Sequence, residues 1–204
     1  MVTQLLFVHF VVRCVGVVRL GSLVGCHGLR GKLLSGIGNW LKDRRQRVGI
    51  NGPFSEWREV NSGVPQGSVL GPVLFNIFIN DLGKGVNGEV AKFADDIKLL
   101  KTVKSQADCE EFQGDLTKLG VWATKWQMKF NVDKCKVMHI GKHHPNYIYK
   151  LMGSKLAVTT QERDLGVIVE SSLETSTQWA AAAKKVNRTL GIIKKGTENI
   201  TLPL

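Results

Sequence analysis

The sequence predicts an α+β fold, and three observations predict it. Short apolar runs bounded by Gly, Asn and Asp occur in pairs, as the strands of hairpins do. Between them lie stretches whose apolar residues recur every three or four positions, the period of a helix with one buried face. A hydrophobic share of 43% over 204 residues is enough to bury a core around such elements in one domain, or one and a fraction.

Residues 1–26 fit this pattern least. Leu5 to Val12 is apolar, but Arg13 and Arg19 interrupt the run, and no uncharged window is long enough to span a bilayer. The basic start of a secretory signal is missing, so secretion is not expected. The segment has neither a helical face nor strand alternation, and no acidic residue precedes Asp43. Residues 1–32 are therefore expected to be unrelated or non-native to the domain that follows. From Leu33 the order improves. Leu33, Leu34, Ile37, Trp40 and Leu41 have helical spacing, weakened by Gly36 and Gly38. Lys42-Asp43-Arg44-Arg45-Gln46-Arg47 is a basic cluster, either a solvated face or a contact for a phosphate backbone. Val48-Gly49-Ile50 and Trp57-Arg58-Glu59-Val60 read as strands around the turn Asn51-Gly52-Pro53.

Asn61 to Pro72 holds three glycines and two prolines, which make a shaped loop rather than a slack one. It feeds a helical stripe of Val69, Leu70, Val73, Leu74, Ile77, Phe78 and Leu82, closed by Gly83-Lys84-Gly85 and Asn87-Gly88. Glu89 to Ala94 and Ile97 to Leu100 then read as two strands joined by a tight turn carrying Asp95 and Asp96. Two adjacent carboxylates there are either a hydrated acidic turn or part of an oxygen-rich site for a hard cation such as Mg²⁺. Ser105 and Asp108 have capping-box spacing before a helix through Phe112, Leu116, Leu119, Ala123 and Trp126 to about Met128. A strand ending at Ile140 follows. Tyr147 to Leu151 and Lys155 to Val158 read as a hairpin, Leu165 to Val169 as a further strand, and Leu173 to Lys195 as a basic helix.

The net charge of +11 and a pI near 9.7 point to a polyanion partner, nucleic acid before membrane. Four cysteines without CxxC spacing point to reduced thiols in a nuclear or cytoplasmic setting. Cys135, His139, His143 and His144 do not make a zinc site, because a strand entering a loop would not converge them; surface histidines are expected.

Taken together, Ser62-Gly63-Val64-Pro65-Gln66-Gly67-Ser68-Val69-Leu70-Gly71-Pro72, the apolar helix ending Asn80-Asp81-Leu82, and Phe93-Ala94-Asp95-Asp96 resemble the reverse transcriptase domain of non-LTR (LINE-type) retrotransposons. Met128-Lys129-Phe130-Asn131, Lys134-Cys135-Lys136 and Asp164-Leu165-Gly166-Val167 continue the resemblance, which covers Leu33 to the C-terminus. It implies part of a right-hand polymerase palm, an antiparallel sheet backed by helices, over 33–170, and the start of a helical thumb over 171–204. It implies that Asp95 and Asp96 are catalytic metal ligands and that Lys134 assists the departing pyrophosphate. Ser62, Gly63, Pro65, Gln66 and Gly67 would meet the template base and incoming nucleotide, and Leu165, Gly166 and Val167 would grip the primer. The implied cofactor is Mg²⁺, and the implied partners are an RNA template, a DNA primer and deoxynucleoside triphosphates. The family supplies a further aspartate from an upstream strand, yet residues 1–42 hold no Asp or Glu. The expectation is an N-terminally truncated, inactive RNA-directed DNA polymerase fragment. A non-catalytic nucleic-acid-binding remnant, or a decayed reading frame without function, are the alternatives.

Overall fold

The structure, a computed structural model, describes residues 2–11, 28–61, 63–141 and 144–197. Its central sheet follows the order β10-β7-β1-β5-β4, with β6 beside β1. The strands are β1 (Val2–Val11), β4 (Glu89–Phe93), β5 (Asp96–Val103), β6 (Lys129–Phe130), β7 (Lys136–Ile140) and β10 (Ala157–Thr159). All pairings are antiparallel except β10 with β7. Thus residues 2–11, in the segment that the sequence sets apart, contribute a strand between β5 and β7.

Three helices cover one face of the sheet: α1 (Gly31–Leu41), α2 (Leu70–Phe78) and α3 (Gln106–Trp126). Each follows from its apolar spacing. Ile37 and Leu41 of α1, Leu74 and Phe78 of α2, and Phe112, Leu116, Leu119 and Ala123 of α3 form one core with Ile97 and Leu99 of β5. The capping box is present: the Ser105 side chain accepts from the Asp108 amide, and the Asp108 carboxylate accepts from the Ser105 amide at 2.8 Å. The helix stops where Gln127 enters the left-handed region at φ 57° and Met128 N–H returns to the Ala123 carbonyl at 2.8 Å.

Burial alternates along β5. Ile97 and Leu99 face the helices, while Asp96, Lys98 and Leu100 line the other face. There Met138, Leu100, Ile140 and Val169 form a smaller cluster. It lies under a hairpin of β11 (Gln161–Asp164) and β12 (Val167–Glu170), tied to the sheet by the Lys98–Asp164 ion pair and by Lys136–Glu162 at 3.7 Å. The last helix, α4 (Ser176–Thr197), buries no residue.

Several sequence expectations need correction. The hairpin before the shaped loop pairs β2 (Arg45–Gln46) with β3 (Arg58–Glu59), and only the Gly49–Phe54 bridge lies in its upper part. Two positive-φ residues, Asn51 at 49° and Gly52 at 108°, make its turn. Helix α2 ends at Phe78, short of the predicted Leu82, because the chain turns through Ile79 to Gly85 with Leu82 N–H on the Ile79 carbonyl. The strand predicted over Leu165 to Val169 begins two residues later, at Val167, because Leu165 and Gly166 form the hairpin tip with positive φ, 47° and 89°. The hairpin expected over 147–158 is confined to β8 (Lys150–Leu151) and β9 (Ser154–Lys155), and the chain then crosses to pair β10 with β7.

Candidate active site

Strands β4 and β5 meet in a two-residue turn, Ala94-Asp95, with Phe93 paired to Asp96. Ala94 has φ 51°, the left-handed conformation such a tight turn needs. Asp95 is exposed at the tip and Asp96 is half-buried beside it. On its other side Asp96 is paired with His9 of β1. Phe93 at the end of β4, Asp96 at the start of β5 and His9 of β1 therefore lie in one row.

The elements around this row bring other predicted residues to it. Beyond His9, Phe10 and Val11 pair with β6, and the 3₁₀ turn Val132–Lys134 that follows contacts β1. Lys134 is exposed there, at the Asp-pair end of the sheet. Lys98 shares a face with Asp96 and holds Asp164, which is adjacent to Leu165 and Gly166 at the hairpin tip, so the predicted primer-grip residues lie on the Asp96 face.

The Gly63–Ser68 loop is fixed by different contacts; Ser62 lies outside the described residues. Gly63 and Gly67 have φ 71° and 78°, which keeps side chains off the two bends. Ser68 Oγ donates to the Pro65 carbonyl at 2.6 Å and accepts from Gly71 N–H at 3.0 Å, capping the entry to α2. A Cβ at Gly71 would stand 3.0 Å from the Pro65 carbonyl and 2.9 Å from Ser68 Oγ. Arg44, counted in the basic cluster, is a clamp: its Nε donates to the Leu41 carbonyl at 2.9 Å and its Nη2 to the Gly63 carbonyl at 2.6 Å. Gln66 and Gly67 remain exposed at the crest.

Two residues that support the Asp hairpin were missed in the sequence. Lys92 Nζ donates to the carbonyls of Ile79, Asn80 and Leu82 at 3.0–3.1 Å, capping the turns after α2. Burial lowers its pKa, and Asp81 partly opposes this. Asp115, fully buried on α3, accepts from the Asn87 and Gly88 amides at 3.1 Å and from Lys118 Nζ at 3.0 Å. The detectable signal was an acidic residue on the apolar side of a helix, one turn from a lysine.

Among the described residues no three His, Cys, Asp or Glu side chains gather as a metal cluster. Asp95 and Asp96 suit one hard cation that also takes water and substrate phosphates, since Mg²⁺ is commonly held through one or two carboxylates. The described residues of the Cys135–His144 stretch are arranged differently from a ligand cluster. Cys135 is buried with Sγ 3.2 Å from the Asn131 carbonyl, and His139 stacks on His144 with centroids 4.2 Å apart. Contrary to the expectation of surface histidines, His139 is 8% exposed. His143 lies outside the described residues.

The sequence model of the reverse transcriptase (RNA-dependent DNA polymerase) family matches residues 29–188. The chain belongs to the reverse transcriptase family. It is similar to a probable RNA-directed DNA polymerase from transposon BS of Drosophila melanogaster, 37% identical over 108 residues, covering 47% of this chain and 12% of that protein. It is also similar to the RNA-directed DNA polymerase from mobile element jockey of Drosophila funebris, 33% identical over 147 residues, covering 67% of this chain and 16% of that protein. The jockey protein of Drosophila melanogaster is 34% identical over 106 residues, covering 48% of this chain and 12% of that protein. These similarities support a reverse transcriptase domain of the non-LTR retrotransposon type. The family match includes the shaped loop, the Asp hairpin, α3 and most of α4, and it begins after β1. No helix among the described residues is long and apolar enough to cross a membrane.

Proposed function

We propose that this reverse transcriptase chain forms the palm of an RNA-directed DNA polymerase whose metal site lacks one carboxylate. The observation that carries the reading is the register in which His9 is paired with Asp96. A palm that handles two metal ions draws carboxylates from more than one strand, one ion activating the attacking oxygen and one the leaving oxygen. Strand β1 is the neighbour of the Asp pair, and its residue in the shared row is a histidine.

Asp95 and Asp96 would hold a single Mg²⁺ with nucleotide phosphates. Lys134, at the same end of the sheet, would neutralise charge on the departing pyrophosphate. Gly63, Pro65, Gln66 and Gly67 would position template base and nucleotide, with Ser62 in the same loop, and Leu165, Gly166 and Val167 would hold the primer. The partners are an RNA template, a DNA primer and deoxynucleoside triphosphates. Helix α4 would begin the thumb. Because the protein's part in such chemistry is positioning and electrostatics, loss of a charged ligand lowers the rate by about two orders of magnitude or more.

The test is primer extension on an RNA template with Mg²⁺. The natural chain should match the background of Asp95→Asn/Asp96→Asn, and His9→Asp should exceed both at least about tenfold, one factor of 1.4 kcal/mol in transition-state stabilisation. Extension by the natural chain well above the double variant would overturn the inactive reading. A folded His9→Asp protein still at background would overturn the assignment of His9 to the missing position.

A binding remnant without chemistry is the second reading. It is favoured by the exposed Lys184, Lys185, Arg188, Lys194 and Lys195 on α4. Retained RNA affinity that falls steeply with salt, in a chain without extension activity even as His9→Asp, would support it.

A further inference from the structure

We propose that the β2–β3 hairpin is a stacking platform for unpaired bases, a second nucleic-acid contact outside the row of Phe93, Asp96 and His9. The guanidinium of Arg47 lies 3.8 Å from the Phe54 ring centroid and 4.6 Å from that of Trp57. Both residues nevertheless stay more than half exposed, 62% and 55%. Arg45 and Arg58, paired to Glu59 and Gln46 across the hairpin, are exposed as well. Flat apolar faces set among cations match a ligand that alternates flat bases with phosphates. In a duplex the bases are stacked on one another and their faces are closed, so the ligand is a single strand.

The hairpin holds this arrangement before any ligand arrives. Ser55 Oγ accepts from Val48 N–H at 2.9 Å, Ser55 N–H reaches the Val48 carbonyl at 2.8 Å, and Ile50 N–H reaches the Pro53 carbonyl at 3.1 Å. Phe54 packs one edge of its ring against Gly49, where an added Cβ would come within 2.7 Å of it. Arg47 spans both rings, so little side-chain freedom remains to be lost on binding. Arg44 joins the hairpin to the Gly63 carbonyl and hence to the loop assigned to the template base. The platform therefore extends that proposed surface and rests on the nucleic-acid reading given above.

The experiment uses the full chain and two fluorescein-labelled probes, oligo(dT) and a DNA duplex, followed by anisotropy at low salt. Phe54→Leu/Trp57→Leu should weaken oligo(dT) binding about tenfold or more, the effect expected for lost base stacking, and leave duplex binding unchanged. Arg47→Lys keeps the charge but loses the planar stack, and it should weaken the same probe with the thermal transition intact. A strand carrying iodouracil should crosslink to the peptide that contains Trp57. Equal oligo(dT) affinity in natural and variant chains, or crosslinks only elsewhere, would overturn the platform and leave the nucleic-acid reading standing. Absence of binding to either probe would overturn both. A dimer that Trp57→Leu converts to monomer, with oligo(dT) affinity unchanged, would make the patch a contact between copies and overturn the proposal.

Discussion

Burial changes the acid–base behaviour of His139. The ring is removed from water and lies against His144, and burial first, then the charge of the neighbouring imidazole, lower its pKa. The folded state thus binds this proton less tightly than the unfolded chain, whose histidines titrate near about 6.5. Where the unfolded state binds more protons, stability rises with pH. Acidification from neutral pH through the histidine range should therefore lower the thermal midpoint. The fall should be smaller in His139→Gln, measured by circular dichroism in buffers of equal ionic strength; equal falls would remove His139 as the cause. Residue type was a good guide where chemistry is local. Asp95 and Asp96 stand out as adjacent carboxylates between two apolar runs; Asp95 lies in the turn and Asp96 opens the second strand. His9 carries no local signal, and only the strand register sets it opposite Asp96.

The β4–β5 hairpin is docked onto α3, and two features of that helix contribute on different scales. The Ser105 cap satisfies amides at an exposed helix end, so Ser105→Ala should cost about 1 kcal/mol. Asp115 is fully buried and accepts from the two amides that open the hairpin. Asp115→Ala removes a fully buried acceptor from both amides and the partner of Lys118, so its cost should be about 3 kcal/mol. Urea unfolding of both variants checks the order, and the reverse order would mean that the junction does not hold the hairpin. Helix α3 was legible because its signals are local: a capping box, then apolar residues at helical spacing. Strand β1 was not. Its apolar run from Leu5 to Val12 lacks the polar–apolar alternation by which a strand is read from sequence, and only its pairing with β5 and β7 reveals it. The end of α2 was equally hidden, because Leu82 keeps the apolar period and is buried from a turn rather than from a helix.

At the scale of the whole molecule the core ends before the chain does. Leu41, Phe78, Leu99 and Leu116 are fully or almost fully buried in one cluster, whereas Trp179, Val186, Leu190 and Ile193 mark a stripe on α4 that is more than half exposed. The sequence shows that stripe but not what would cover it, since its spacing is the same whether or not a partner is present. Helix α4 is attached mainly at its first turn. Gln178 Oε1 accepts from Ile168 N–H at 2.8 Å, and Thr177 Oγ1 donates to Glu170 Oε1 at 2.9 Å. None of its 22 residues is buried, so it draws little on the tertiary packing from which most helical stability in proteins comes. Regions with few buried apolar contacts open at low free energy and are cut first by proteases. Brief trypsin treatment should cleave at Lys184, Lys185, Arg188, Lys194 or Lys195 before any site between β4 and β7. The remaining body should keep a cooperative transition within about 2–4 °C of the intact chain, because cleavage there removes little buried area. A single-stranded oligonucleotide that seats on α4 would slow those cuts. Cleavage between β4 and β7 at the same rate, or loss of the transition once α4 is removed, would mean that α4 belongs to the cooperative core despite its exposed stripe.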